Sequence, residues 1–175
     1  VFSFHPVKIL TTGEGGAITT NDDELAKKIK LLRSHGITKN QNEFKSNKNE
    51  EWRYEQQVLG FNYRMSDINA SLGISQLKRL DKIIIERNKQ YEYYKTILKS
   101  LPLELLEIPK DVRSSIHLAI IKLNEKDPNF HRKIFSDLRR MNIGVQIHYL
   151  PVHLQPYYQQ FGFSIGDFPN AEIHA

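Results

Sequence analysis

Cysteine is absent from the 175 residues of this chain, and methionine and tryptophan are scarce, at two and one residues. Without thiols the chain can form neither a disulfide-stabilised scaffold nor a zinc site built on cysteine. Long apolar runs are also missing, because no stretch approaches the roughly 18 residues that a membrane-spanning helix needs. The remaining composition, 39% hydrophobic and 26% charged, is typical of a soluble globular protein, and we expect a cytoplasmic location and no membrane partner.

Basic residues outnumber acidic ones and give a formal net charge of +5. Such a balance would suit a polyanionic partner, and four basic residues fall on one predicted helix: Arg132, Lys133, Arg139 and Arg140. Acids alternate with the basic residues along the predicted amphipathic helices, which favours a solvated face, and no aromatic-basic stacking motif is present. A nucleic-acid or polyanion-binding domain is therefore kept as an alternative function, and a non-catalytic oligomerisation fragment as another.

A single lysine, Lys8, stands between an apolar, strand-like run and a glycine cluster. Residues 1–16 have the sequence Val-Phe-Ser-Phe-His-Pro-Val-Lys-Ile-Leu-Thr-Thr-Gly-Glu-Gly-Gly. A lysine amine in a partly buried or cationic setting becomes a nucleophile toward carbonyl carbons. The Gly-Glu-Gly-Gly spacing is not that of a dinucleotide-binding loop, so we interpret these glycines as turn residues. Lys8 is the candidate catalytic residue.

Hydrophobic periodicity predicts a chain of the α/β class. Helices are predicted over about residues 22–34, 66–101 and 129–141, and strands over about 16–20, 103–108, 116–123 and 145–149. The long second helix is expected to break at Gly73 or within residues 79–82, and Gly36 is expected to stop the first. Cap residues for the first helix are expected within residues 20–23, and Ser66 is expected to cap the second. The polar stretch of residues 38–57 predicts a long, mobile surface loop.

Three segments of the chain resemble successive signatures of the DegT/DnrJ/EryC1/StrS family of sugar-nucleotide aminotransferases. The first is Ser3 to Gly16, the second is Gly-Phe-Asn-Tyr-Arg-Met-Ser-Asp-Ile-Asn-Ala-Ser-Leu-Gly at residues 60–73, and the third spans residues 145–156. Some members that resemble this chain carry histidine at the lysine position and deoxygenate the sugar instead. Because Lys8 is present, the resemblance implies transamination with pyridoxal 5'-phosphate (PLP) as cofactor.

The resemblance also implies a fold and an extent. Family members are fold-type I PLP-dependent transferases of roughly twice this length, and the chain begins without methionine inside a motif. We therefore expect a fragment that is inactive alone: residues 1–80 would end the large PLP-binding domain, and residues 81–175 would form most of a small, truncated C-terminal α/β sandwich domain.

Roles for individual residues follow from the resemblance alone. It implies that Lys8 bonds the cofactor, that the Ser3 hydroxyl binds its phosphate, and that Asn62 reaches across a homodimer interface to the phosphate of the neighbouring subunit's cofactor. His148 and Tyr149 are expected near the sugar-nucleotide. No metal site is expected, because His148 and His153 lack cysteine or acidic partners at ligand spacing.

The substrate is implied less closely. The first segment is most similar to family members of pseudaminic acid biosynthesis, which implies a UDP-linked keto-deoxy sugar and a role in surface polysaccharide or glycan biosynthesis. Glutamate is the usual amino donor in the family. Members that act on dTDP-sugars share the lysine and asparagine segments, so the exact sugar, the nucleotide and the stereochemistry of amination stay open.

Overall fold

The computed structural model describes residues 1–46 and 50–174, in which short strands are interspersed with six α-helices. The chain forms two compact units. One comprises Val1–Ser100 with Leu105–Ile120, and the other comprises Leu101–Glu104 with Ile121–Ala175. The boundary expected between residues 80 and 81 concerns the domains of a longer polypeptide and stays a prediction.

The first unit opens with a short hairpin followed by a helix. Strand β1 (Phe2–Ser3) pairs antiparallel with β2 (Gly16–Ala17), and α1 spans Asp23–Leu32. The carboxylate of Asp22 accepts a hydrogen bond from the Leu25 backbone N–H at 3.0 Å, which caps the first turn. The predicted helix and its predicted cap are confirmed, while the predicted strand over residues 16–20 is shorter than expected.

Residues 37–57 are more ordered at their ends than the sequence suggested. Strand β3 (Ile37–Thr38) pairs antiparallel with β4 (Glu55–Gln56), and a single 3-10 turn lies at Gln41–Glu43. The Glu55 carboxylate accepts the Lys45 backbone N–H at 2.7 Å. A side chain expected at the surface of a loop therefore binds the backbone and joins two parts of that loop. The prediction of an irregular loop is wrong at these strands. The predicted mobility includes residues 47–49, which lie outside the described residues.

Helices α2 (Asp67–Leu77) and α3 (Leu80–Ile97) divide the long helical pattern. The Ser66 hydroxyl caps α2 by accepting the Asn69 backbone N–H at 3.2 Å, as its position before the helix predicts. The break lies at Lys78 and Arg79, at the edge of the predicted range 79–82. Gly73 lies inside α2, so the alternative break at that residue is wrong.

Helix α3 holds two neighbouring loops through its polar side chains. The Arg87 guanidinium donates to the carbonyls of Ile116 at 3.0 Å and His117 at 3.2 Å, and the Tyr91 hydroxyl donates to a carbonyl at Leu106. Tyr91 is only 3% exposed. Ile116 adopts a φ of 47°, which is unusual for a β-branched residue, and the Arg87 bond fixes its carbonyl in that conformation.

The second unit is built mainly on one amphipathic helix. Helix α4 (Pro128–Arg140) begins after Asp127, whose carboxylate accepts the Asn129 N–H at 2.9 Å, and its apolar residues Phe130, Ile134, Phe135 and Leu138 share one face. This confirms the predicted helix. Strands β5 (Leu103–Leu105) and β6 (Ile121–Leu123) pair with each other but are shorter than predicted, and two short helices follow, α5 (Pro156–Gln159) and α6 (Pro169–Ile173).

The strand predicted at residues 145–149 is not formed. Within the described part of the chain, residues 144–149 make no backbone hydrogen bonds to a neighbouring strand. Alternating apolar residues favour an extended backbone, but a β-strand also requires a partner that supplies the ladder. The sequence pattern therefore predicts an extended backbone, but it does not show whether another strand pairs with it.

Large apolar side chains are widely exposed across the described residues. Leu59 is 89% exposed, Ile68 84% and Trp52 80%. The buried hydrophobic side chains among the described residues are Tyr91 and Ile116. Apolar surface on this scale is typical of regions that another polypeptide segment or subunit covers. None of the helices described here has the length and apolarity needed to cross a membrane.

Two backbone segments cross in direct contact at Gly36 and Gly60. Gly36 has a φ of +69°, and a Cβ atom placed on it would lie 1.8 Å from the Val58 carbonyl oxygen. A Cβ on Gly60 would lie 2.2 Å from the Gly36 nitrogen. The Gly36 N–H also donates to the Leu31 carbonyl at 2.9 Å, which ends α1 as predicted. Only glycine fits at this crossing.

Replacement of Gly36 is expected to destabilise the protein strongly. Gly36→Ala would combine a positive φ, worth about 1 kcal/mol or more, with a clash against the Val58 backbone, which cannot rotate away. The matched control is Gly144→Ala, because a Cβ on Gly144 meets nothing within 4 Å. Chemical denaturation of both variants measures the effect, and equal denaturation midpoints would contradict this account of the crossing.

Candidate functional site

Lys8 lies at the centre of the loop that joins β1 to β2. The base of this loop is closed by hydrogen bonds from the Thr12 N–H to the Phe4 carbonyl at 3.0 Å and from the Phe4 N–H to the Gly15 carbonyl at 2.9 Å. A turn at its tip is closed by the Lys8 N–H and the His5 carbonyl at 3.0 Å. The Lys8 side chain is exposed, and its amine makes no hydrogen bond or ion pair with the residues that the structure describes. Its amine is therefore available to a ligand.

Ser3 belongs to the same hairpin, at the end of β1. Its hydroxyl oxygen accepts the His5 backbone N–H at 3.4 Å, and the side chain is exposed. The hydroxyl hydrogen has no acceptor among the described residues and stays free to donate. The hairpin therefore presents one amine and one hydroxyl donor, a pair suited to an aldehyde and a phosphate respectively.

Thr12 anchors the far side of the loop and was not identified from the sequence. It is 2% exposed, and its hydroxyl donates to the Glu14 carbonyl at 2.7 Å. The Asn69 side-chain amide, 57 residues away on α2, donates to the Thr12 carbonyl and, at 3.4 Å, to the Glu14 carbonyl. No local pattern in the sequence signals this contact, because it joins residues 57 positions apart.

Two glycines allow close packing here, Gly15 within the loop and Gly73 between the loop and α2. A Cβ on Gly15 would lie 2.4 Å from the Thr12 hydroxyl oxygen, and a Cβ on Gly73 would lie 2.7 Å from the Thr12 Cγ2. Gly15, interpreted from the sequence as a turn residue, is thus also a close-approach residue. Gly73 lies in the second signature segment and packs against Thr12 of the first.

Asn62 is held by the backbone on either side of it. The Phe61 N–H donates to the Leu32 carbonyl at 2.7 Å and the Tyr63 N–H donates to the Arg33 carbonyl at 2.8 Å, both at the C-terminal end of α1. The flanking rings of Phe61 and Tyr63 stack, with centroids 4.8 Å apart. The Asn62 side chain is exposed and makes no hydrogen bond within the described residues, so it can bind a group outside this unit.

His148 and Tyr149 lie in the second unit, whereas the Lys8 loop and Asn62 lie in the first. Their rings stack on each other with centroids 4.2 Å apart and planes 10° apart, and Tyr149 is 63% exposed. The pair forms a flat, accessible face with polar edges, which suits a sugar or a base. Their expected place near the sugar-nucleotide stays a prediction.

His153 is buried and paired, and does not face solvent as a free ligand. Its Nε2 lies 2.8 Å from the Glu172 carboxylate, and its ring packs against Phe168 with centroids 4.8 Å apart. The same carboxylate accepts the Gly166 N–H at 2.9 Å. No cluster of three or more His, Asp or Glu residues that could hold a metal ion is found in residues 1–46 and 50–174.

The basic residues of α4 are largely engaged by their neighbours. Arg140 pairs with Asp137, Arg132 donates to the Asn129 side chain at 3.3 Å, and the Arg139 guanidinium lies 6.0 Å from the centre of the Phe135 ring. Local partners of this kind are typical of a solvated helix face. They do not favour the alternative of a polyanion-binding surface.

Comparison with known proteins decides the family. The family model described as the DegT/DnrJ/EryC1/StrS aminotransferase family matches residues 1–175, the whole chain. The chain belongs to this family. The resemblance noted in the three signature segments is confirmed, and the first two segments are in close contact in this structure.

Individual relatives agree with this assignment. The UDP-4-amino-4,6-dideoxy-N-acetyl-beta-L-altrosamine transaminase of Campylobacter jejuni is 40% identical over 164 residues, which cover 91% of this chain and 40% of that protein. The chain spans less than half the length of this relative, as it does for the other proteins compared here.

Solved structures match the fold over nearly the whole chain. PseC of Helicobacter pylori, an aminotransferase involved in the biosynthesis of pseudaminic acid, gives a TM-score of 0.85 at 34% identity and covers 99% of this chain and 45% of its own. Spr1654 of Streptococcus pneumoniae, solved in its PLP form, gives a TM-score of 0.84 at 28% identity, with coverage of 99% and 43%. The α/β chain is thus part of a fold-type I transferase, as predicted.

Acid is expected to weaken the second unit through Glu172. Burial tends to raise the pKa of this carboxyl, but hydrogen bonds from the Gly166 N–H, His153 and the Phe168 N–H outweigh burial and hold the pKa below its ordinary value of 4.5. Because the pKa is lowered by folding, the stabilisation is present above pH 4.5 and is lost as the pH falls through the pKa of the folded form.

Glu172→Gln should therefore flatten the loss of stability that occurs as the pH falls below 4.5. Thermal unfolding across this range is the measurement. Glu104→Gln is the control, because Glu104 is exposed and accepts no hydrogen bond within the described residues. A Glu172→Gln variant with the same acid sensitivity as the unaltered protein would rule out this carboxylate as the cause.

Proposed function

We propose that the full-length protein containing this chain is a PLP-dependent aminotransferase that transfers an amino group to the keto group of a nucleotide-linked sugar. The observation that carries the proposal is the Lys8 amine, which is exposed and unpaired at the centre of an anchored loop. It occupies the position at which the resemblance places the cofactor lysine of the family to which the chain belongs.

The side-chain donors fit the proposed cofactor. The Lys8 amine, the Ser3 hydroxyl hydrogen and the Asn62 amide are all without acceptors among the described residues. An amine suits the aldehyde of PLP, and neutral N–H and O–H donors suit its phosphate. When bound, PLP supplies an electron sink for carbanionic charge, which an amino-acid side chain does not provide.

Each candidate residue then has a defined task. Lys8 would hold the cofactor through its aldehyde carbon, and its amine, when free, would accept the proton from the α-carbon of the amino donor. Ser3 donates to the phosphate within its own subunit, and Asn62 donates to the phosphate of a neighbouring subunit. His148 and Tyr149 contact the sugar-nucleotide.

The substrate class we propose is a UDP-linked keto-deoxy sugar, with glutamate as the amino donor. The names of the Campylobacter jejuni relative and of PseC support this choice, because they refer to a UDP-linked deoxy sugar and to pseudaminic acid respectively. The proposed setting is surface polysaccharide or glycan biosynthesis in the cytoplasm, where nucleotide-sugars are used, with a homodimer as the active unit.

Loss of Lys8 should abolish turnover and covalent attachment of the cofactor. In the full-length protein, Lys8→Ala removes both the carbonyl-bonding amine and the proton carrier, and proton transfer alone contributes about 10² to 10⁴ in rate. Lys30→Ala, at an exposed lysine of α1, is the control. Borohydride reduction in the presence of PLP followed by mass spectrometry checks attachment, and full turnover by Lys8→Ala would refute the role.

Shared active sites should be visible in mixed dimers. If Asn62 serves the neighbouring site, an inactive Lys8→Ala subunit paired with an inactive Asn62→Ala subunit forms one site with both residues intact. Equal mixing followed by subunit exchange should then restore about a quarter of the normal activity. Activity after exchange is compared with that of each variant alone, and no recovery would place Asn62 in its own subunit's site or outside the site.

A further inference from the structure

The amide of Asn69 has a fixed orientation. Its Oδ1 atom receives the hydrogen of the Ser66 hydroxyl, and its own backbone N–H donates to that hydroxyl oxygen at 3.2 Å. With the oxygen engaged on the helix side, the two N–H donors of Nδ2 face the Lys8 loop. They reach the carbonyls of Thr12 and Glu14. The N-terminal cap of α2 therefore sets the direction in which Asn69 donates.

The two carbonyls that Asn69 binds lie at the base of the Lys8 loop. Thr12 is 2% exposed, so its carbonyl has little access to water and depends on a protein donor. The Thr12 N–H donates to the Phe4 carbonyl at 3.0 Å, and the neighbouring Thr11 hydroxyl donates to the same carbonyl at 3.1 Å. Residues 4 and 12 therefore close the base, and Lys8 stands midway between them.

Asn69 links α2 to the base through the hydrogen bonds of its side chain. The Lys8 side chain makes no hydrogen bond to Asn69 or Thr12 in the part of the chain that the structure describes. We therefore expect the influence of Asn69 on the amine to pass through the backbone of residues 9–12. Movement of the base by a fraction of the loop's width would displace an amine that has to meet a carbonyl carbon in a defined direction.

We propose that Asn69 is a positioning residue for Lys8, which fixes the base of the lysine loop to helix α2 and thereby sets the place from which the amine reacts. The proposal rests on the proposed function for its cofactor, while the anchoring itself is a property of the chain alone. Ser66 acts behind Asn69 by fixing the orientation of its amide.

Asn69→Leu tests the proposal in the full-length protein, because leucine keeps the approximate size of the side chain and removes both donors. The matched control is Asn88→Leu. Asn88 also lies on a helix and donates through Nδ2 to two backbone carbonyls, those of Ile84 at 2.9 Å and Ser114 at 3.0 Å, and neither carbonyl belongs to the Lys8 loop.

Two measurements are made on each variant after circular dichroism has verified folding. The first is hydrogen exchange of the backbone amides in residues 4–16, which should accelerate about tenfold or more in Asn69→Leu and stay unchanged in Asn88→Leu. The second is labelling of Lys8 by PLP with borohydride trapping, quantified on the Lys8 peptide relative to Lys95 of the same molecule. It should fall about tenfold in Asn69→Leu only.

Unchanged hydrogen exchange in residues 4–16 would show that Asn69 does not anchor the loop. Faster exchange with undiminished Lys8 labelling would show that Asn69 stabilises the loop but does not position Lys8. If Lys8 of the unaltered protein is not labelled by PLP, the proposed function fails. The reactivity of Lys8 toward trinitrobenzenesulfonate, read on the same peptide, then decides the positioning proposal. Should Asn69→Leu not fold, Asn69→Asp replaces it, because a carboxylate facing the Thr12 carbonyl removes the donors without a change of shape.

Discussion

The position of Lys8 depends on the hydrogen bonds that Asn69 of helix α2 donates to the carbonyls of Thr12 and Glu14. These bonds join residues 57 and 55 positions apart, so they close a long stretch of chain and hold a short hairpin that has only two residue pairs of its own. A hairpin of this size is unstable in isolation. The loop acquires a definite shape because α2 supplies the donor, Gly73 lets the two segments meet, and Gly15 leaves room for the Thr12 side chain within the loop.

The residues proposed to bind the cofactor share one physical feature. Lys8 and Asn62 are fixed through backbone hydrogen bonds of their own segments, while their side-chain donors make no hydrogen bond within residues 1–46 and 50–174. For Asn62 the fixing groups are the last carbonyls of α1, which a helix leaves without intrahelical partners. The end of α1 is thereby satisfied by the same segment that presents Asn62. One set of bonds serves both the helix and the candidate site.

Local signals in the sequence predicted local structure well. The caps at Asp22 and Ser66, the stop at Gly36 and the periodicity of α4 each depend on neighbours within a few residues, and the structure agrees with all of them. The three signature segments likewise identified the family. Predictions failed where a distant partner decides the outcome.

Two failures show what the sequence alone does not contain. The polar residues of 38–57 were interpreted as solvated, yet Glu55 binds the backbone ten residues earlier at Lys45, a pairing that no periodicity encodes. The alternating residues of 145–149 lack a paired strand among the described residues. Thr12 escaped notice for the same reason, because a threonine beside a glycine cluster gives no sign that an asparagine on a distant helix binds its carbonyl.

The crossing of Gly36 with Gly60 affects how the protein tolerates sequence change. Most contacts between chain segments are made by side chains. Substitution of such side chains shifts the distance between the segments by fractions of an ångström, so the geometry of a site changes as its sequence changes. Here two backbones touch without side chains between them, so the spacing is set by the peptide group itself. Asn62, two residues beyond Gly60, is therefore expected to keep its distance from α1 while the apolar residues around it vary.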